Sequence, residues 1–438
     1  MEAALSRYRR ARARSTSLFD LLADRAYFCR PIAIRHPIVF YDGHLPAFSL
    51  NTLVKRALGG SSIDPALERL FARGIDPREA SRPAHGDEPR WPDRDAVRRF
   101  TARADACVME ALERIDGSGV DPVSPEGRRL SDAVHTILEH EVMHQETLLY
   151  MWHRLAFHLK RRPDGYVPAQ PDSVRPPAVE RLEVPAGTAT LGVDADSVPF
   201  GWDNEHPACR VPVEAFAIDR HKVTNARYLE FVDAGGYDDR RWWNADNWEW
   251  LRRDDVGHPR FWERHGSDWY WRGMFDVLPL PLSWPVYVSH AEASAFARWA
   301  AARLPTEAEF QRAAFGSPEG ERPHPWGTPA PAPRFGVFDF GAWDPEPCGS
   351  HPAGASAWGV EDLVGNGWEW TSTPFAPLPG FRPSPLYPEY SADFFDGEHM
   401  VMKGASPATA ADLLRPTFRN WFRRHYPYVY AGFRCVTS

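Results

Sequence analysis

Over the first 160 residues, apolar side chains recur at three- and four-residue intervals, the signature of amphipathic helices. The pattern predicts four of them: about Ser6–Tyr27, Pro46–Leu58, Asp95–Ile115 and Ser131–Leu159. Gly and Pro fall between them, as in His85-Gly86-Asp87 and Gly117-Ser118-Gly119, where loops are expected. Four long helices joined by loops imply an antiparallel bundle, an architecture in which metal sites are built from side chains projecting into the core. The stretch Lys160–Val179 is rich in proline and charge and reads as a linker. After Leu182 the periodicity changes to short β-like runs rich in Gly, Pro and Trp, with helices expected only at Asn225–Asp233, Ser289–Ala302 and Thr306–Ala314. The expected organisation is a helical bundle over 1–165, a linker over 166–181 and an irregular α+β domain over 182–438, an α+β multidomain chain.

Length agrees with two or three domains, since 438 residues exceed what one ordinary core holds. Hydrophobic residues at 43% and charged residues at 25% describe a globular chain rather than a disordered one. No run approaches the roughly 18 apolar residues of a membrane span, and the N-terminus lacks the apolar stretch of a signal peptide, so a cytoplasmic protein is expected. The net charge of −8 gives no basic field for phosphate backbones, which argues against a nucleic-acid partner. Five scattered cysteines without a Cys-x-x-Cys pair argue against a disulfide framework or a cysteine zinc site. The tryptophans Trp242, Trp243, Trp248, Trp250, Trp262, Trp269 and Trp271 fit either a pocket for a flat or cationic ligand or a rigid, loop-rich core.

Candidate chemistry concentrates in Leu138-Glu139-His140-Glu141-Val142-Met143-His144-Gln145-Glu146. On a helix, His140 and His144 lie one turn apart on one face, so both imidazoles can reach a single ion. Ile137, Leu148, Met151 and Leu155 continue that face, placing the pair where a bundle core would otherwise take leucine. Glu146, rotated roughly 200° from His144, belongs to a different face and is expected to support the bundle or the ligands. A third ligand must come from another helix. His44, in Gly43-His44-Leu45-Pro46, is the best candidate, at the start of the helix predicted from Pro46; His36 and His135 compete with it. Three neutral imidazoles suit Fe(II), Zn(II) or Cu(II) about equally.

Further phrases carry a resemblance that runs along nearly the whole chain. They are Gly201-Trp202-Asp203-Asn204-Glu205, Val223-Thr224-Asn225, Arg303-Leu304-Pro305-Thr306-Glu307-Ala308-Glu309, Gly365-Asn366-Gly367-Trp368-Glu369-Trp370, Arg415-Pro416-Thr417-Phe418-Arg419-Asn420 and Gly432-Phe433-Arg434. With the His-x-x-x-His-x-Glu motif, the chain resembles the sulfoxide synthases that make ergothioneine, ovothiol and selenoneine. The resemblance implies a DinB-like four-helix bundle followed by a formylglycine-generating-enzyme-like domain, a C-type lectin-like α+β fold. It further implies Fe(II) on His44, His140 and His144, with O₂, a thiol and hercynine or histidine as small-molecule partners.

Carried onto this chain, the resemblance makes Tyr387 the first choice for a tyrosine that donates a proton or hydrogen bond at the iron, with Tyr390 next. It casts Trp421 as an aromatic face for the betaine's trimethylammonium group, Asn420 as a hydrogen-bonding partner, and Phe48 and Tyr41 as further wall. Arg419, Arg423 and Arg424 are candidates for a carboxylate. The Gly-Asn-Gly-Trp-Glu-Trp and Arg-Leu-Pro-Thr-Glu-Ala-Glu phrases read as structural. Two positions depart from the pattern: Met143 stands where glutamine often contacts the betaine, and Phe422 where enzymes using γ-glutamylcysteine carry an acidic residue. The expected activity is joining a thiol, cysteine or γ-glutamylcysteine, to C2 of hercynine. The alternatives are a selenoneine synthase, a histidine–cysteine sulfoxide synthase and a zinc DinB-like thiol transferase. A formylglycine-generating oxidase would need two closely spaced C-terminal cysteines, and only Cys435 follows Cys348.

Overall fold

The computed structural model describes residues 3–72, 90–121, 124–169 and 174–438; the His85-Gly86-Asp87 loop lies outside them. Two compact units are present, one of Met1–Tyr166 with Pro385–Tyr387, the other of Val167–Ser384 with Pro388–Ser438. Among the described residues no helix is long and apolar enough to cross a membrane.

The first unit is a helical bundle of α1 (Ala4–Asp20), α2 (Ile38–Ser49), the short α3 (Pro65–Leu70), α4 (Arg94–Asp116) and α5 (Pro125–Arg154). Side chains that accept from otherwise orphaned first-turn amides start the last three: Asp64 for Ala66 and Leu67, Asp93 for Ala96, and Ser124 for Gly127, with proline at the first position of α3 and α5. Tyr8, Leu50, Leu53, Ala104, Val108, Leu112, Ala133 and Ile137 are at most marginally exposed and form its core together with Leu386. Each large aliphatic buried this way contributes roughly 1.5–3 kcal/mol.

Three helices differ in extent from the sequence expectation. The first helix stops at Asp20 rather than near Tyr27, because Leu22 bridges to Lys160 and Ala23 N donates to Leu159 O at 2.9 Å. The last long helix runs from Pro125, not Ser131, under the Ser124 cap, and ends at Arg154. The second begins at Ile38 rather than Pro46, so His44 lies inside a helix and not at its start. An internal proline removes an amide donor and typically costs about 3 kcal/mol. Here the carbonyl that Pro46 would leave without a partner, Asp42 O, receives the Thr101 hydroxyl at 3.5 Å. Beyond Ser49 the chain widens into a π-helix over Leu50–Ala57, with Leu58 N bonded to Leu53 O at 3.1 Å.

The second unit is a set of small sheets linked by long loops. Its central four-stranded sheet runs in the order Asn420–Arg423, His399–Ala405, Gly367–Pro374, Ala431–Gly432, antiparallel except for the last pairing. A three-stranded sheet pairs Arg181–Val184 and Val436–Thr437 with Phe216–Asp219. Helices α6 (Asn225–Asp233), α8 (His290–Trp299) and α9 (Glu307–Phe315) occupy the segments expected of them, α8 and α9 each starting from a reciprocal capping box, Ser289 with Glu292 and Thr306 with Glu309. The helix α7 (Ala245–Arg253), capped by Asn244, was not anticipated, because its tryptophans masked the period.

The Gly365-Asn366-Gly367 phrase is a turn. Asn366 has φ 58° and pairs through its amide with both the N–H and the carbonyl of Glu346, and a Cβ at Gly367 would lie 2.7 Å from Tyr287. Trp243, Trp250, Trp262 and Trp271 are buried packing groups, three of them donating from the indole to Gly236, Asn225 and Asp344.

Candidate metal centre

Helices α2 and α5 place His44, His140 and His144 together, each offering a ligand atom within 4.8 Å of the others. Ring centroids are 5.1 Å apart for His44 and His140, 5.0 Å for His44 and His144, and 4.4 Å for His140 and His144. His135 turns back to the Ser131 carbonyl at 2.9 Å and His36 stacks on Phe40; neither joins the cluster.

Packing holds the rings in place. Phe48 stacks on His140 with centroids 3.4 Å apart and planes 7° from parallel, and Phe40 stacks on His44 at 5.0 Å. The Tyr41 ring lies 5.9 Å from His144. Tyr387, grouped with this unit although it is far along the chain, sits edge-on to Phe48 at 5.1 Å and 6.3 Å from His140.

One hydrogen bond fixes a tautomer. His44 Nδ1 lies 2.7 Å from the Phe71 carbonyl; a carbonyl only accepts, so Nδ1 carries the proton and Nε2 the lone pair. Gly43 makes this possible, since a Cβ there would fall 2.4 Å from the Phe71 ring.

The remaining nitrogens are unusual. His44 Nε2, both nitrogens of His140 and His144 Nδ1 are buried without a hydrogen-bond partner. Each such group costs roughly 1–3 kcal/mol. Burial also holds the imidazoles neutral: it lowers the pKa of His44 to about 4 against a supporting bond from Phe71, and pushes His140 and His144 well below the usual range, helped by neighbouring histidine and Arg35 charge. Converging neutral imidazoles with orphaned lone pairs are what a transition-metal ion needs, so the residues fit such an ion. Among the described residues no other group of three His, Cys, Asp or Glu converges in this way.

The neighbouring positions of α5 do different work. Glu141 accepts from Arg12 at 2.8 Å and from Ser15, while Gln145 Nε2 donates to Ala11 O at 2.8 Å and Ser15 at 3.0 Å. Glu146 is buried and Met143 half-buried on the same helix. Sequence reasoning missed Phe71, Phe40 and Gly43 as parts of the site. The Gly-His dipeptide was visible, but nothing in a periodicity marks a backbone carbonyl as a partner.

The other candidate residues belong to the second unit. Trp421 lies face to face with Phe375 at 4.1 Å and meets Tyr390 edge-on at 5.2 Å, while Tyr390 stacks on Trp202 at 3.9 Å. Asn420 Oδ1 accepts from Trp421 N at 2.9 Å, and Phe422 stacks on Tyr426 at 4.8 Å. Of the arginines weighed for a carboxylate, Arg419 is committed to Glu307 and to the carbonyls of Asn204 and Ala376, and Arg424 donates to Gly397 O.

Residues 168–438 match the Sulfatase-modifying factor enzyme 1-like domain and residues 7–148 the DinB superfamily. The chain is 36% identical over 380 residues to a hercynine oxygenase of Mycolicibacterium smegmatis, covering 84% of this chain and 83% of that protein. It is 34% identical over 433 residues to the hercynine oxygenase of Mycobacterium tuberculosis, covering 97% and 96%. Ergothioneine biosynthesis protein 1 of Neurospora crassa is 28% identical over 492 residues, covering 93% of this chain and 54% of that protein.

Proposed function

Because this chain belongs to the ergothioneine-type sulfoxide synthase family, which includes the hercynine oxygenases, we propose that it is a non-haem Fe(II) oxygenase joining a thiol sulfur to C2 of the hercynine imidazole. The observation that supports this reading above all others is the convergence of buried His44 and His140 with half-buried His144, where His44 Nε2, both nitrogens of His140 and His144 Nδ1 have no hydrogen-bond partner. When bound there, ferrous iron supplies redox chemistry with O₂ and a common template for sulfur and ring. The overall reaction balances: the S–H and C2–H bonds break, a C–S bond forms, one oxygen atom ends on sulfur, and the other leaves as water with both hydrogens.

The chain's own residues then have distinct tasks. Tyr387, against Phe48 beside His140, is the proton or hydrogen-bond donor to the reacting atoms; Tyr390, stacked on Trp202, is the alternative. Trp421 offers an aromatic face to the trimethylammonium group, a contact worth on the order of 0.5–2 kcal/mol. Asn420 hydrogen-bonds the substrate imidazole or carboxylate, and Tyr41, Phe48 and Met143 contribute apolar wall. Phe422, stacked on Tyr426, provides no carboxylate for a γ-glutamyl amine, which favours cysteine over γ-glutamylcysteine as the donor.

The test is anaerobic loading with Fe(II), then oxygen uptake and mass spectrometry with hercynine or histidine against cysteine, γ-glutamylcysteine and a selenol. Hercynine with cysteine should give the sulfoxide with one O₂ consumed. Absence of uptake with every pair, or equal turnover with zinc, would overturn the reading.

A further inference from the structure

Arg56 lies in the π-helical turn that follows α2, where no role has been assigned to it. Its guanidinium donates to the Leu386 carbonyl, 330 positions away in sequence. That carbonyl belongs to the peptide bond entering Tyr387, so the bond sets the plane from which the Tyr387 side chain departs. Leu386 is itself buried in the bundle core, and the Tyr387 ring rests on Phe48. Phe48, Thr52 and Arg56 recur every four residues, so one row along this segment presents the ring beneath Tyr387 and the cation that grips its backbone.

Arg56 is solvent-exposed, but the residues on either side of it are anchored. Lys55 pairs with the buried Glu68 carboxylate at 2.5 Å, and Arg129 donates to the Ala57 carbonyl. Glu68 in turn accepts from Ser62 and from the Ile63 and Asp64 amides. A widened helical turn of this kind is rare and recurs at functional sites. We propose that Arg56 is a positioning residue which, through the Leu386 carbonyl, holds Tyr387 in place beside the three-histidine site. The inference rests on the catalytic part given to Tyr387 above.

Two measurements on the full chain decide it. In the first, 3-fluorotyrosine is placed at position 387 of the metal-free protein and followed by fluorine NMR. The expected result is one resonance in the parent, displaced or broadened by Arg56→Met and restored by Arg56→Lys, which keeps a cationic donor. An unchanged spectrum in Arg56→Met overturns the proposal. In the second, the iron-loaded enzymes are compared. Arg56→Met should lower kcat about tenfold or more, since small misplacements of a reacting group cost up to roughly a hundredfold, with KM values and iron stoichiometry unchanged. In a Tyr387→Phe background the same substitution should add nothing; an equal loss in both backgrounds overturns the proposal. If Tyr387→Phe alone leaves turnover untouched, Tyr387 drops out of the chemistry, and the fluorine spectrum still decides whether Arg56 holds it.

Discussion

Two buried polar clusters in this protein meet opposite fates. In the second unit Arg434, fully buried, spends its guanidinium on both oxygens of Glu369 at 2.7 and 2.8 Å and on the carbonyls of Asp219, Arg220 and Glu361, while Lys222 approaches the same carboxylate at 3.1 Å. In the bundle, His140 is equally enclosed and neither of its nitrogens has a partner. Burial of a charge is tolerated when every donor and acceptor is matched, as around Arg434. Polar groups enclosed and left unmatched point instead to something outside the protein chain that completes them. Satisfaction, rather than burial or charge, separates the cluster that holds the fold from the one proposed here to bind an ion.

The contrast can be broken most completely at the histidines. His140→Ala or His144→Ala should abolish metal binding, read by equilibrium dialysis and metal analysis, while the metal-free variants unfold within about 1 kcal/mol of the parent, because each substitution also removes an orphaned polar group. Metal stoichiometry equal to the parent in both variants would remove the assignment. The opposite substitution, Arg434→Met, leaves the Glu369 charge with Lys222 alone and should destabilise the protein by about 3–5 kcal/mol in urea unfolding.

Glu68 sharpens the comparison by its pH dependence. Burial alone would raise its pKa, but the bonds from Asp64, Lys55, Ser62 and Ile63 override this and hold it at about 2, against an ordinary 4.5. The folded state therefore binds protons less readily than the unfolded chain. The stabilisation is fully present above pH 4.5 and lost as pH falls toward 2. Glu68→Gln should show that deficit in urea unfolding at neutral pH and converge on the parent in acid; a pH-independent difference would show that the carboxylate's charge is not the cause.

Much of this was legible in the chain because it is local. The spacing of His140 and His144 on an apolar stripe predicts their common face, and Thr306 with Glu309 predicts a capped helix start. The Gly-Asn-Gly turn, read as structural, is held by Asn366 in a left-handed conformation. What escaped depends on partners distant in sequence. Pro46 reads as a helix start, and only Thr101, on another helix, shows how α2 runs through it. The Arg56 bond to Leu386 spans most of the chain, and no pattern within a window of residues can reveal it. The tryptophans of 242–271 obscured α7 because large rings fill loops and helices alike.

The bond from His44 to Phe71 has a further consequence. Its acceptor is main chain, which no single substitution can delete or exchange for another chemical group. Drift at position 71 can alter the ring that Gly43 accommodates, yet the oxygen persists through every replacement that keeps the local path of the backbone. The proton's location on this imidazole is thus inherited with the shape of the bundle rather than with the identity of any one partner residue.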